Sequence, residues 1–158
     1  MKKRKMLAVL LLLIIGASAY AIYRFNFRKT IPEGELNVQV KAILINNGCL
    51  DCHSPNAPMP FYGNFPIAQG LVKEDMYKGN RYINLEQVCE ALEKGTRISE
   101  VDLAKIEQSM LNESMPVVKY TMIHWGNSFN SREKEVLKRW IQEVRSQHYA
   151  TGLAGERN

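Results

Sequence analysis

The sequence predicts an all-α chain, with one apolar helix at the N-terminus followed by a helical body that carries long loops. Three observations support this. Residues 6–23 run without a charge. Beyond residue 35 the apolar positions recur at helical spacing and never alternate for long enough to argue a sheet. Capping residues and glycines stand where those apolar runs begin and end. With 158 residues, 46% of them apolar and 23% charged, the chain suits one ordinary domain, and its composition excludes wholesale disorder.

The leader comes first. Lys2, Lys3, Arg4 and Lys5 precede the apolar run Met6–Tyr23, and Tyr20, Tyr23, Phe25 and Phe27 follow beside Arg24 and Arg28. This order matches a membrane span with an aromatic and basic interfacial belt, at the short end of the length needed to cross a bilayer. A cleaved signal peptide is the competing reading, with Leu7–Ile15 as its apolar core and Ala17-Ser18-Ala19 as the cleavage site. Apolar character continues past that site, which favours a retained anchor. The chain divides at this point into an anchor or signal segment, 1–29, and a body, 30–158. The positive charges ahead of the apolar run favour an inside N-terminus and a body on the periplasmic side of the bacterial cytoplasmic membrane; signal cleavage would leave it soluble in the periplasm. The net charge of +5 belongs to this leader. Residues 30–158 hold 14 basic and 16 acidic residues, a net charge of −2, which excludes the concentrated positive face that nucleic acid requires.

The body's elements follow in order. Thr30–Glu35, with Pro32 and Gly34, reads as a linker. Leu36, Val40, Ile43 and Leu44 share one face of a helix that runs to Asn47 and stops at Gly48. Residues 54–66 hold four prolines and read as an extended loop. Asn84 caps a helix with Leu85, Val88, Cys89 and Leu92 inward, ending at Gly95. Ser99 opens another with Val101, Leu103, Ile106 and Met110 on its apolar side. Ser131 caps a long closing helix with the stripe Val136, Leu137, Trp140, Ile141 and Val144. The clusters Lys73–Asp75 and Arg132–Glu135 read as solvated helix faces, and Cys89 as a small buried residue.

Long loops in a helical body imply that something fills the space they enclose. Cys49-Leu50-Asp51-Cys52-His53 supplies the candidate, because C-x-x-C-H is the attachment signature of c-type haem. Two residues between the thiols match the separation of the two haem vinyl groups, and the adjacent histidine offers an axial nitrogen to the iron. Two other readings of the motif compete. A thioredoxin-like redox pair needs several strands that this sequence does not offer. A closed zinc site needs four ligands, and Cys89 stands alone as a fourth.

Around this motif the chain resembles the bacterial haem-binding domain family of small monohaem c-type proteins. The matching residues are Asn46-Asn47 before the motif, His53-Ser54 after it, Pro60-Phe61-Tyr62, Pro66, Met115-Pro116, Tyr120-Thr121, His124, and the Ser131–Glu133–Lys134 start of the helix that carries Trp140. They span about residues 42–145. Phe61 stands where the family usually has tryptophan, and the stretch around Trp125-Gly126 also departs from its pattern. The resemblance implies haem binding and electron transfer and identifies no partner; the sequence as a whole reads as a cytochrome c-like helical domain wrapped around one haem that exchanges electrons with redox partner proteins.

For the second axial position Met115 is the first choice, because Pro116 stiffens the loop that must hold its sulfur, and His124 is the rival. Met59, Met76, Met110 and Met122 read as core filler, and His148 as solvated. Tyr62, Tyr120 and Trp125 are candidates to pack on the porphyrin. The sequence therefore leads to a membrane-tethered electron carrier with one covalent haem, not an enzyme. An open-site haem protein for peroxide chemistry or gas sensing is the alternative.

Overall fold

The computed structural model describes residues 2–27, 30–124 and 127–155. Arg28, Trp125 and Gly126, all singled out in the sequence, lie outside the described residues, as do the side chains of Lys2, Lys3, Arg24, Phe25 and Phe27. The helices are α1 (Lys2–Phe27), α2 (Leu36–Asn46), α3 (Leu50–His53), α4 (Pro66–Tyr82), α5 (Leu85–Lys94), α6 (Glu100–Leu111), α7 (Val118–Ile123) and α8 (Ser131–Gly155). A 3-10 turn at Phe61–Asn64 precedes α4. No strand occurs among the described residues, so the all-α class is observed.

Within α1, the segment Arg4–Tyr23 is long and apolar enough to cross a membrane, and none of it is buried against the body. A helix that is apolar all round and unpacked has no partner in a soluble core. A signal sequence has the same length and composition.

The core lies between α2, α5, α6 and α8. Val40, Ile43 and Leu44 of α2 meet Leu85, Val88, Cys89 and Leu92 of α5, Leu103, Ile106 and Met110 of α6, and Val136, Leu137, Trp140 and Ile141 of α8. Fully burying an aliphatic or aromatic side chain contributes about 1.5–3 kcal/mol, so these stripes account for most of the folding drive. Local signals set the helix ends. Asn84 Oδ1 accepts from the Glu86 and Gln87 amides, Ser99 Oγ accepts from the Asp102 amide, and Gly95 closes α5 in the left-handed conformation. Polar ties join the helices at the surface of the core. Trp140 Nε1 donates to Asn37 Oδ1 at 3.1 Å, and Arg145 pairs with Glu100 (2.6 Å) and Glu107 (2.8 Å) of α6.

Several sequence expectations are corrected. Residues 54–66 are not one extended loop, because the chain turns at Phe61–Asn64 and α4 starts at Pro66. Val101 is 63% exposed, outside the apolar side of α6, and Met122 is 70% exposed on α7, so neither fills the core. The cap of α8 is Asn130, whose Oδ1 accepts from the Glu133 amide at 2.9 Å, one residue before the expected Ser131. The Arg132–Glu135 cluster is not wholly solvated, since Glu133 is fully buried.

Candidate cofactor site

The chain after α2 reverses at Asn47-Gly48, and Gly48 adopts a φ of +66°. A Cβ at Gly48 would lie 2.2 Å from Tyr120 Oη and 2.9 Å from Asn127 Nδ2, so glycine is required for both conformation and space. The next residues form one helical turn, closed by the His53 amide donating to the Cys49 carbonyl at 3.1 Å. Residues three and four apart share a helix face, so this turn puts Cys49, Cys52 and His53 on one side.

That side opens on a cavity of about 520 Å³ lined by Cys49, Cys52 and His53 together with Leu44, Ile83 and Met115. The volume lies within the roughly 300–1,000 Å³ typical of cofactor sites. Met115 reaches it from the loop between α6 and α7, 62 residues beyond His53 in sequence. His124 is not among the lining residues. Its ring stacks on Tyr120, with centroids 4.0 Å apart, and faces Tyr62 at 5.5 Å. The structure thus brings together four of the five sequence candidates and sets His124 beside them.

The electrostatics of the turn discriminate between the chemistries considered for it. His53 is buried, and its Nδ1 lies 3.2 Å from the Ile83 carbonyl oxygen. A carbonyl only accepts, so Nδ1 carries the hydrogen and Nε2 keeps a lone pair for a metal. Burial lowers the pKa of His53 against the opposing pull of the Ile83 and Gly79 carbonyls, favouring the neutral imidazole that metal ligation needs. Burial, with the nearby Asp75 and Asp51 carboxylates, pushes the Cys52 thiol up. A thioredoxin-like pair works by a lowered thiol pKa, so this environment runs against it. Among the described residues no group of three or more His, Cys, Asp or Glu side chains is assembled to hold a metal ion by itself, which disfavours the zinc reading.

Neighbouring elements hold the turn in place. Tyr120 donates to Asp51 Oδ2 at 2.6 Å and accepts from Asn127 Nδ2 at 3.2 Å. Burial and the Asp51 carboxylate raise the Tyr120 phenol far above its ordinary pKa, so it stays a donor. Asn47 Nδ2 donates to the Ile43 carbonyl (2.9 Å) and to Glu133 Oε1 (3.0 Å), which ties α8 to the residues just before Cys49. After the turn, Ser54 Oγ donates to Glu86 Oε2 at 2.6 Å, fixing the exit to the start of α5. Helix α4 crosses so closely that a Cβ at Gly79 would lie 2.6 Å from the Cys52 carbonyl oxygen.

A family comparison decides what kind of site this is. The family model of the haem-binding domain matches residues 14–143. The chain belongs to the haem-binding domain family. Cytochrome c peroxidase Ccp of Escherichia coli (strain K12) is 34% identical to it over 146 residues, covering 87% of this chain and 30% of that protein. The chain therefore spans less than a third of the length of this relative. No solved structure gives a significant match. For a haem-binding domain the residues present fit the group. Two thiols and a neutral imidazole share one face of a turn, a thioether sulfur lines the same cavity, and the cavity surface is mostly apolar.

Sequence reasoning missed Gly79, Glu86 and the buried role of Glu133. Asn84 at the cap position was legible, but nothing local told that the helix it starts would grip Ser54. Glu133 stood in the motif order of the family resemblance, and that was the one signal that set it apart from its charged neighbours.

Proposed function

We propose that this haem-binding domain is a monohaem c-type cytochrome, tethered by α1 to the bacterial cytoplasmic membrane, that passes single electrons between redox partner proteins on the periplasmic side. The observation that carries the reading is the shared cavity of Cys49, Cys52, His53 and Met115. Cys49 and Cys52 would hold the cofactor through thioethers, and His53 Nε2 and Met115 Sδ would offer ligands to its iron. When bound, the haem supplies a one-electron ferric/ferrous couple. The chain does the rest. The Ile83 carbonyl fixes the His53 tautomer, and Leu44, Ile83 and Ile106 give the cavity an apolar lining that would keep water from a bound iron. Covalent attachment suits an exported carrier that has no route to replace a lost cofactor.

The absence of His124 from the cavity lining supports methionine over histidine as the second ligand. The relative's name, cytochrome c peroxidase, favours a second reading in which this domain serves peroxide chemistry directly through an open iron position. A second position filled by Met115 would argue for the carrier, because exogenous ligands would then have no site to occupy.

Spectroscopy of the matured full-length protein separates the two. The carrier should be low-spin, keep its haem through denaturing electrophoresis and show a weak sulfur-to-iron charge-transfer band in the near infrared. Met115→Ala should abolish that band and open the reduced iron to carbon monoxide, and His124→Ala should leave it intact. A high-spin wild type that binds carbon monoxide readily overturns the carrier. A colourless wild type that binds stoichiometric zinc overturns the cofactor. N-terminal sequencing beginning at Tyr20, with the protein in the soluble fraction, overturns the tether.

A further inference from the structure

The cavity is mostly apolar, yet four charged side chains reach it, namely Asp75, Lys78, Lys105 and Lys119. Three of them are accounted for. Lys119 Nζ lies 2.6 Å from Asp75 Oδ1, and Lys78 pairs one turn away with Glu74 at 2.5 Å. Lys105 differs. It donates to the backbone carbonyl of Tyr82, the last residue of α4, and its ammonium sits 5.2 Å from the centroid of the Tyr82 ring. Among the described residues no carboxylate lies within ion-pair distance of it. The free carbonyls of a helix C-terminus attract a cation, which explains how the stem is held. An ammonium has three N–H donors, and Tyr82 uses one.

The Lys105 ammonium stands at the solvent-accessible rim of a mostly apolar cavity, with N–H donors left over for an anion. Haem brings two carboxylates of its own. We propose that Lys105 is the anchor for a haem propionate, held at the α4–α6 edge of the cavity by the Tyr82 carbonyl and ring. The inference rests on the haem reading above and adds to it the orientation of the cofactor and a control on its potential. Ferrous haem carries one more negative charge than ferric haem, so a fixed cation beside it stabilises the reduced state. Ser109, which also lines the cavity, donates to the Lys105 carbonyl at 2.8 Å and braces this turn of α6. Lys105 is a positioning residue and takes no part in bonding the iron.

The test uses the full chain, matured with covalent haem carrying 13C-labelled propionates, in detergent. Spectroelectrochemistry and redox-difference infrared spectra are recorded for wild type, Lys105→Gln, Lys105→Arg and Lys78→Gln. At a fixed applied potential Lys105→Gln should move the ferrous-to-ferric ratio about tenfold toward ferric, which is 59 mV for a one-electron couple. It should also displace the labelled carboxylate band. Lys105→Arg should restore both, and Lys78→Gln, already neutralised by Glu74, should stay within about twofold of wild type. If Lys105→Gln fails to mature, Lys105→Met keeps the stem over Tyr82 and is read in the same way. A haem-loaded Lys105 variant with an unmoved ratio and an unmoved carboxylate band overturns the proposal. So does a Lys78→Gln shift of equal size, which would make the effect a general field. A wild type without covalent haem fails earlier, on the gel, and takes down the cofactor reading itself.

Discussion

Replacing Glu133 with alanine tests the physical account of the site most directly. The carboxylate is fully buried and anchors two elements at once. Its Oε1 accepts from Asn47 Nδ2 at 3.0 Å, and its Oε2 accepts from the Asn130 amide at 2.8 Å. Alanine removes both acceptors and leaves a void where the side chain stood. A buried donor deprived of its partner costs about 1–3 kcal/mol, more when the partner was charged, so the two together cost roughly 3–5 kcal/mol. Total stability for a domain of this size is about 5–15 kcal/mol, so the loss is a large fraction of the whole. With a guanidinium dependence of roughly 4 kcal/mol per molar, the unfolding midpoint of the haem-loaded protein should fall by about 1 M, followed by far-ultraviolet circular dichroism. Glu133→Gln keeps the shape and one carbonyl acceptor but turns an NH₂ toward the other donor, so about half that loss is expected. A Glu133→Ala midpoint within about 0.25 M of wild type would refute the claim that this carboxylate locks α8 to the residues ahead of Cys49, since it corresponds to only about 1 kcal/mol.

Three further outcomes follow from the same geometry. Gly79→Ala places a Cβ 2.6 Å from the Cys52 carbonyl, a backbone atom with little room to yield, so a stability loss of about 1–3 kcal/mol and a lower yield of covalently loaded protein are expected on haem-stained gels. Gly48→Ala forces a left-handed conformation on a residue with a side chain and drives its Cβ into the Tyr120 hydroxyl; a loss of at least about 1–2 kcal/mol should appear in chemical denaturation. Hydrogen bonds from Ser54 and Asn56 lower the Glu86 pKa, so its contribution is present above the ordinary glutamate value and is lost as the pH falls through its folded value. Denaturation of wild type and Glu86→Gln should therefore differ near neutral pH and the gap should narrow as the pH falls below the ordinary glutamate range; a gap that does not narrow in acid would count against that link.

What the sequence determined on its own was whatever depends on neighbours within a few residues. An uncharged run of 18 residues defines α1 because a bilayer or an export channel reads it locally. Asn84, Gly95 and Ser99 mark helix ends because a cap bonds only to its own first or last turn. The C-x-x-C-H motif is legible because one helical turn sets its spacing, and Cys89 takes the buried place that its spacing implies. Helix α4 escaped notice because it packs through one buried glycine, Gly79, and leaves Ile67 and Leu71 exposed, so it has no apolar stripe to read. Tertiary structure alone decided that Met115 lines the cavity while His124 stacks on Tyr120, that Glu133 is buried while the charged Arg132 and Glu135 near it are exposed, and that Lys105 meets the end of α4. Each of these depends on two segments far apart in the chain meeting at a given distance and angle. Pairings of that kind are set by how the helices close on a common core, and no local pattern of residues encodes them.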